Sequence, residues 1–199
     1  MTGSVPALKP PVWTWEVPAY FFVGGAAGAA AVIAAVAGLR SDAGSFPAIA
    51  EHARWIAAAG ALIAPLLLIA DLGRPARFLN MLRVFKIQSP MSVGAWTLML
   101  FSLAAVASLA AHEVPDAPAW LALAGAAAGL LAGLTGLILA TYTGVLIGVT
   151  AIPVWSAHVG VLPLLFGLSG LGAAVSLLIA AFILLGKYWR GGLTAGATK

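Results

Sequence analysis

Long apolar runs separated by short polar segments dominate the chain. A helix needs ~20 mostly apolar residues to cross the hydrocarbon core of a bilayer. Five runs approach or exceed that length: residues 17–39, 55–70, 91–111, 119–150 and 155–185. The pattern therefore predicts an all-α integral membrane protein. We expect a bundle of about five transmembrane helices that forms a single transmembrane domain over residues 1–199.

The ends of two runs carry helix signals. Ser89 and Pro90 precede the third run, where serine can cap a helix and proline suits its first position. The fourth run is longer than the ~20 residues that one span needs, so we expect it to be tilted or broken. Gly144, Gly148 and Pro153 favour a break near its end.

Small residues recur at helical spacing in two runs. Gly24 and Gly28 lie four residues apart in the first run, and Gly125, Gly129 and Gly133 form a continuous stripe in the fourth. Small residues at this spacing let helix backbones approach closely in lipid. Dense helix packing is a sufficient explanation for these glycines.

The composition supports a membrane location and limits the chemistry of the chain. Hydrophobic residues make up 62% of the 199 residues and charged residues 8%, whereas soluble domains carry ~25% charged residues. The mean hydropathy is +1.06. The net charge of +4 lies at the ends of the runs, which indicates contact with lipid headgroups and no nucleic-acid partner. The absence of cysteine excludes disulfides, thiolate zinc and all-cysteine iron–sulfur clusters within this chain, and we predict no metal site.

Polar residues gather on one predicted side of the membrane. In a bundle of five spans, the start of span one, the end of span two and the end of span four lie on the same side of the membrane. The link between spans four and five lies on that side too. The residues concerned are Trp13, Trp15, Glu16, Asp71, Arg74, Arg77, Thr141, Tyr142, Thr143 and, just inside span five, His158. Ionisable groups at membrane depth are costly and usually functional. A carboxylate, a tyrosine and a histidine beside an apolar bundle suit a quinone, whose carbonyls need hydrogen-bond donors and whose reduction takes up protons.

Each of these residues also has a simpler interpretation. Asp71 can pair with a neighbouring arginine, which lowers the cost of both charges at the interface. Tyr142 can belong to an interfacial aromatic belt, as can Trp13 and Trp15. His158 can be a packed or interfacial histidine. Five cationic residues fall on each predicted side, so charge does not decide the orientation.

A haem site is a further alternative. Two axial histidines on facing helices would be required. His52 and His112 fall on the same predicted side, at the edges of the second and third spans rather than within them. Their position at the loop margins argues against a bis-histidine haem.

Several segments resemble the NrfD (polysulfide reductase) membrane-subunit family. The most specific are DLGRPARF at 71–78, continued by NMLRVFK at 80–86, and SPMSVGAW at 89–96. The likeness extends upstream to WEVPAYFFVGG at 15–25 and downstream to YTGVLI at 142–147 and IPVW at 152–155. It covers residues from about 13 to 170.

This resemblance implies a quinone site, for menaquinone or ubiquinone, in this chain. It implies that Tyr142 donates a hydrogen bond to the quinone and that Glu16 and Asp71 take part in its chemistry. Together with the one-sided polar cluster, it predicts Trp13, Trp15, Tyr142, Thr143 and His158 as cofactor-binding residues. The family often has a histidine or asparagine before its first span, where this chain has Thr14 and Glu16.

The resemblance also implies partners and a location. The partners are a ferredoxin-like iron–sulfur subunit and a catalytic subunit, commonly with a molybdopterin cofactor. The implied docking residues are Arg74, Arg77, Arg83 and Lys86. The location is the bacterial inner (cytoplasmic) membrane, with the 71–90 loop on the periplasmic side. The family commonly has eight or more spans, against the five predicted here, and a partner membrane subunit or self-association could supply further surface.

The sequence leaves three functions open. The first is a membrane anchor that exchanges electrons between the quinone pool and an iron–sulfur subunit, with Glu16 or Asp71 exchanging protons. The second is a structural anchor without quinone chemistry. The third is a small transporter or proton channel, which the absence of charge within spans one, three and four disfavours.

Overall fold

The computed structural model describes residues 15–40, 44–72, 78, 80, 82–83, 85–149 and 153–196, and side chains as far as residue 185. Helices are its regular elements. They are α1 (Glu16–Gly38), α2 (Phe46–Asp71), α3 (Pro90–His112), α4 (Ala119–Gly148), α5 (Pro153–Ser156) and α6 (Leu162–Gly196).

Five helices of the described chain, all except the single turn of α5, are long and apolar enough to cross a membrane. Large apolar side chains such as Leu66, Leu134 and Leu164 are mostly exposed on their outer faces. An exposed apolar exterior is what lipid, rather than water, accommodates. The prediction of an all-α multi-pass membrane protein is therefore confirmed.

The starts of α3 and α4 show how local sequence sets helix ends. The Ser89 hydroxyl accepts a hydrogen bond from the Ser92 backbone N–H at 3.5 Å, and Pro90 begins α3. Pro118 precedes α4, and its carbonyl accepts from the Leu121 N–H at 2.8 Å. The signal that we recognised before the third run thus lies at the actual helix start.

Three predicted spans differ from the observed helices. α2 begins at Phe46, nine residues before position 55, because a helix can continue through polar residues that a hydropathy pattern excludes. α4 continues through Gly144 and ends at Gly148; its 30 residues span about 45 Å. α6 begins at Leu162 rather than near 155, since Pro163 in its first turn has no N–H to extend the helix backwards.

The helix α1 lies at the centre of the bundle and packs against α2, α4 and α6. Its buried positions are almost all glycine or alanine. At the crossing with α4, a Cβ on Gly136 would lie 2.6 Å from the Gly28 carbonyl oxygen, so the two backbones are in direct contact. Gly24, by contrast, only meets the side chains of Leu139 and Tyr20 at ordinary distances.

Candidate functional site

A cavity of about 210 Å³ lies at one end of the bundle. Its walls come from the first turns of α1 and α3 and from the last turns of α2 and α4. The lining residues are Glu16, Val17, Tyr20, Phe21, Leu68, Asp71, Met91, Leu146 and Ile147. Most of them are apolar, and the exceptions are two carboxylates and a tyrosine. We call this space the polar cavity.

Glu16 is the most unusual residue of the polar cavity. It is the first residue of α1, where free backbone N–H groups favour a negative charge. Its Oε2 atom is buried and receives no hydrogen bond within the described chain. A buried polar oxygen without a partner costs ~1–3 kcal/mol. Such a group needs a ligand or a proton to satisfy it.

Asp71 also lines the polar cavity. It is the last residue of α2, and it is exposed. The sequence analysis placed Glu16 and Asp71 on one side of the membrane, and the structure brings both to one cavity. Arg74 and Arg77, the suggested partners of Asp71, lie outside the described residues.

Tyr20 is a residue of the site that the sequence analysis missed. Its side chain is 7% exposed and lines the polar cavity. It follows Glu16 by four residues, and residues four apart share a helix face. This spacing could have indicated that Tyr20 shares the site with Glu16. Because Tyr20 lies inside the first apolar run, the hydrophobic pattern instead indicates a core residue.

Tyr142 lies near the end of α4, on the predicted side of the bundle, and its hydroxyl faces α3. Its side chain is 6% exposed, and its hydroxyl donates a hydrogen bond to the Pro90 carbonyl at the start of α3. A Cβ on Gly94 would lie 2.6 Å from that hydroxyl, so Gly94 makes room for the ring. Tyr142 is not among the lining residues of the polar cavity.

The other described residues that were predicted to bind the ligand do not line the polar cavity. Thr143 is 4% exposed and buried within the bundle. Trp15 is 71% exposed beside the start of α1. His158 lies in the turns before α6 rather than inside a span; it is exposed, and its Nδ1 contacts the Val154 carbonyl at 2.8 Å. Trp13 lies outside the described residues.

The segment before α3 presents cationic and apolar side chains together. Arg83 and Lys86 are exposed, as are Phe85 and Ile87. The segment is held against α3, because the Lys86 N–H donates to the Ser92 hydroxyl at 3.0 Å. The Phe85 ring also meets the Trp96 ring edge-on, with centroids 6.0 Å apart. We call Arg83, Phe85, Lys86 and Ile87 the docking segment.

At the opposite end of the bundle, His52 and His112 have packing roles. The Nδ1 atom of each ring lies 2.8 Å from a carbonyl of its own helix, that of Ala48 and of Ser108 respectively. The His52 ring also stacks on Phe182 of α6, with centroids 4.5 Å apart. Among the described residues, no group of three or more histidines and carboxylates could hold a metal ion.

The helices and the polar cavity define a multi-pass membrane protein with ionisable groups at one end of its bundle. The family model for NrfD, polysulphide reductase, matches residues 4–194. The chain therefore belongs to the NrfD family, whose members are membrane subunits of oxidoreductase complexes. The family is associated with quinone interaction and typically pairs with iron–sulfur and catalytic subunits. No curated protein and no solved structure gives a significant match to the chain.

Proposed function

We propose that the protein is the quinone-reactive membrane anchor of a respiratory oxidoreductase complex. In this role it exchanges electrons between the quinone pool and a ferredoxin-like iron–sulfur subunit, which in turn serves a catalytic subunit. The observation that carries the proposal is the unpartnered carboxylate oxygen of Glu16 in the polar cavity of an NrfD-family chain. The substrate of the complex is determined by the catalytic subunit.

The polar cavity suits the ring of a quinone. Its volume of about 210 Å³ exceeds the ~150 Å³ of an apolar cavity that holds benzene. Val17, Leu68 and Met91 supply apolar walls. Tyr20 supplies a hydroxyl donor, and Glu16 donates a hydrogen bond when it is protonated.

The two carboxylates have complementary positions for moving protons. A quinone takes up two electrons and two protons when it is reduced to a quinol. Asp71 is exposed and can exchange protons with water, whereas the Glu16 Oε2 is buried and faces no donor of the described chain. We infer that Asp71 passes protons between the aqueous surface and Glu16, and that Glu16 exchanges them at the ring oxygen.

The geometry favours Tyr20 over Tyr142 as the hydroxyl that contacts the ring. Tyr142 donates its hydroxyl hydrogen bond to the Pro90 carbonyl, so its contribution is to join α4 to α3. The direct role predicted for Tyr142 remains testable against this alternative. His158 and Trp15, which are exposed near the same end, are proposed at most to border the entrance.

The docking segment is proposed to contact the iron–sulfur subunit. It follows the end of α2 and precedes Met91, which lines the polar cavity, so a partner seated there would lie near the quinone ring. Its cations and exposed aromatic ring suit a protein surface with acidic and apolar groups. Arg74 and Arg77 are proposed as part of the same surface.

Isolation of the native complex tests this function. The tagged protein would be purified from its membranes in mild detergent, and the co-purifying chains and quinones identified by mass spectrometry. We expect a cysteine-rich ferredoxin-like subunit, a large catalytic subunit and bound quinone. The same subunits without quinone, and with no quinone-coupled turnover, would instead identify a structural anchor.

A further inference from the structure

A small cavity lies at the end of the bundle opposite the polar cavity. It measures about 100 Å³ and lies near the ends of α1 and α3 and the starts of α2 and α4. Its lining includes Gly38 and Leu39 of α1, Arg54 of α2, His112 of α3, and Gly129 and Leu130 of α4. We call this space the arginine cavity.

The arginine cavity exists because α1 and α4 separate at this end. A Cβ on Gly133 of α4 would lie 2.9 Å from the Ala35 Cβ of α1, so the two helices are in contact at that level. One turn nearer the bundle end, a Cβ on Gly129 would meet no described residue of α1 within 4 Å. A Cβ on Gly38 of α1 would instead lie 3.7 Å from the Arg54 Nη2. The Arg54 guanidinium therefore occupies part of the gap between α1 and α4.

His112 offers a second polar group to the arginine cavity. Its ring packs on α4, because a Cβ on Gly125 would lie 3.2 Å from the His112 Nδ1. That nitrogen lies 2.8 Å from the Ser108 carbonyl, which can only accept a hydrogen bond, so Nδ1 carries a proton. Nε2 is then the ring nitrogen that can bind a ligand, and it donates a hydrogen bond when the ring is protonated.

Aromatic side chains place the arginine cavity at the level of the lipid headgroups. Trp55 follows Arg54 on α2, Trp120 lies in the first turn of α4, and both are exposed. Exposed tryptophans gather at the membrane–water interface. Leu39 and Leu130, which line the cavity, are also exposed, on helices that are long and apolar enough to cross a membrane. The cavity thus presents a cation at headgroup level beside a surface for lipid chains.

We propose that the arginine cavity binds the phosphate group of a membrane phospholipid, with Arg54 and His112 as its hydrogen-bond donors. A guanidinium presents a planar fork of N–H donors that matches the oxygens of a phosphate. Basic pockets between transmembrane helices bind lipid headgroups by this chemistry. The acyl chains would lie over the exposed Leu39 and Leu130. The bound lipid would fill the gap between α1 and α4 and stabilise this end of the bundle.

Size and charge favour a phospholipid over other ligands of the arginine cavity. At about 100 Å³ the cavity is smaller than the ~150 Å³ cavity that holds benzene, so it does not suit a quinone ring. Glu51 and Glu113 are exposed at the same end of the bundle, and their charges weaken the attraction of Arg54 for a free anion. A phospholipid adds the burial of its acyl chains against apolar helices, which a free anion lacks.

Two variants, each with a matched control, test the inference in the purified full-length protein. Arg54→Gln removes the cation, and Arg40→Gln removes an exposed cation of the same end that does not line the cavity. Ala126→Leu adds bulk to the cavity from an exposed position of α4. Ala127→Leu adds the same side chain at the next exposed position, which does not line the cavity. Helical circular dichroism and thermal melting verify the fold of each variant.

Native mass spectrometry in detergent would measure the binding of single lipid molecules. The probes are dioleoylphosphatidylglycerol and dioleoylglycerol, which have the same acyl chains and differ in the phosphate-bearing headgroup. We expect the wild-type protein to bind a phospholipid in preference to dioleoylglycerol. Arg54→Gln and Ala126→Leu should weaken this binding about tenfold, as expected for the loss of a hydrogen bond to a charged group. Arg40→Gln and Ala127→Leu should leave it unchanged.

The controls and a third probe decide against the inference if it is wrong. Equal weakening by Arg54→Gln and Arg40→Gln would show a general effect of charge, and equal binding by Ala126→Leu and Ala127→Leu would place the lipid elsewhere. The third probe is inorganic phosphate: if it raises the melting temperature of the wild-type protein but not of Arg54→Gln, and no lipid is preferred, the cavity takes a free anion instead. If Arg54→Gln does not fold, the two alanine variants decide.

Discussion

Glu16 and Tyr20 face one cavity because they stand one helical turn apart on α1. A buried carboxylate oxygen without a hydrogen bond lowers stability; a ligand that donates a hydrogen bond to it, or that accepts one from the protonated acid, removes this cost. Tyr20 adds a hydroxyl to the same cavity, and Asp71 adds an exposed carboxylate. Under the proposed function, these three side chains provide the hydrogen-bond donors and the proton carriers for the quinone.

Glu16→Gln should lower quinone-coupled turnover of the complex by at least ~100-fold, because proton transfer by a positioned side chain contributes at least that factor. Glutamine keeps the shape of the residue and can form hydrogen bonds, but it does not release or take up a proton at ordinary pH. Activity with an artificial dye, which bypasses the quinone, should be retained. Glu113→Gln, at the exposed far end of α3, is the control and should leave both rates unchanged.

Unaltered quinone turnover in the Glu16→Gln variant would show that protons reach the ring by another path. If the dye activity were lost as well, Glu16 would instead be required for folding or for assembly of the complex. The two readouts therefore separate chemistry from folding.

Tyr20→Phe and Tyr142→Phe should have different consequences. Removing the Tyr20 hydroxyl should raise KM for quinone about fivefold, the effect of one lost hydrogen bond of ~1 kcal/mol, with little change in thermal stability. Removing the Tyr142 hydroxyl leaves the Pro90 carbonyl without this donor and should lower stability by ~1 kcal/mol. Steady-state kinetics and thermal melting distinguish the two, and a kinetic defect confined to Tyr142→Phe would return the ring contact to Tyr142.

At the scale of elements, α1 is the helix on which the site depends. It carries Glu16, Tyr20 and Phe21, and its small residues allow α2, α4 and α6 to pack around it. Direct backbone contact between Gly28 and Gly136 sets how closely α4 approaches. This approach positions Leu146 and Ile147 against the polar cavity.

Gly136→Ala should destabilise the bundle by ~1–3 kcal/mol, since the new Cβ meets the backbone of α1 and not a movable side chain. Gly172→Ala is the matched control, because no atom lies within 4 Å of its added Cβ. That substitution should be neutral or slightly stabilising, as alanine favours helix over glycine. Thermal unfolding in detergent measures both, and equal stability of the two variants would refute the close crossing.

At the scale of the whole molecule, the polar end of the bundle combines the polar cavity with the docking segment, which we propose as the surface for the iron–sulfur subunit. The docking segment is fixed to α3 by the Ser92 hydrogen bond and the Trp96 ring contact. It therefore offers its exposed cations from a defined position beside the site. Under the proposed function, electrons pass from a partner seated there to the quinone.

The double variant Arg83→Glu and Lys86→Glu should weaken retention of the iron–sulfur subunit, because it reverses two exposed charges of the docking segment. The loss should be greatest at low salt, where surface charges are least screened. Quantitative co-purification measures the effect. Arg40→Glu, at the end of α1 on the opposite side, is the control, and an equal loss in that variant would show a general effect of charge.

The sequence by itself determined the membrane class, the number of spans and the side on which the polar residues meet. Span length follows from the thickness of the bilayer, and each crossing reverses the side, so Glu16 and Asp71 had to share an end once five spans were recognised. The start of α3 could also be predicted from the sequence, because Ser89 and Pro90 affect only the first turn of the helix, which is a local interaction. The family likeness rests on such local segments, and the match over residues 4–194 confirmed it.

Only the tertiary structure decided which side chains at that end face one another. Hydropathy reports that a segment is apolar but not how its helix is rotated, and the rotation depends on packing against every neighbour at once. For that reason Tyr20 lines the polar cavity while Tyr142 turns to Pro90, and Gly28 rather than Gly24 makes the close crossing. The polar cavity and the arginine cavity exist only between packed helices, so no single segment of the sequence could reveal them.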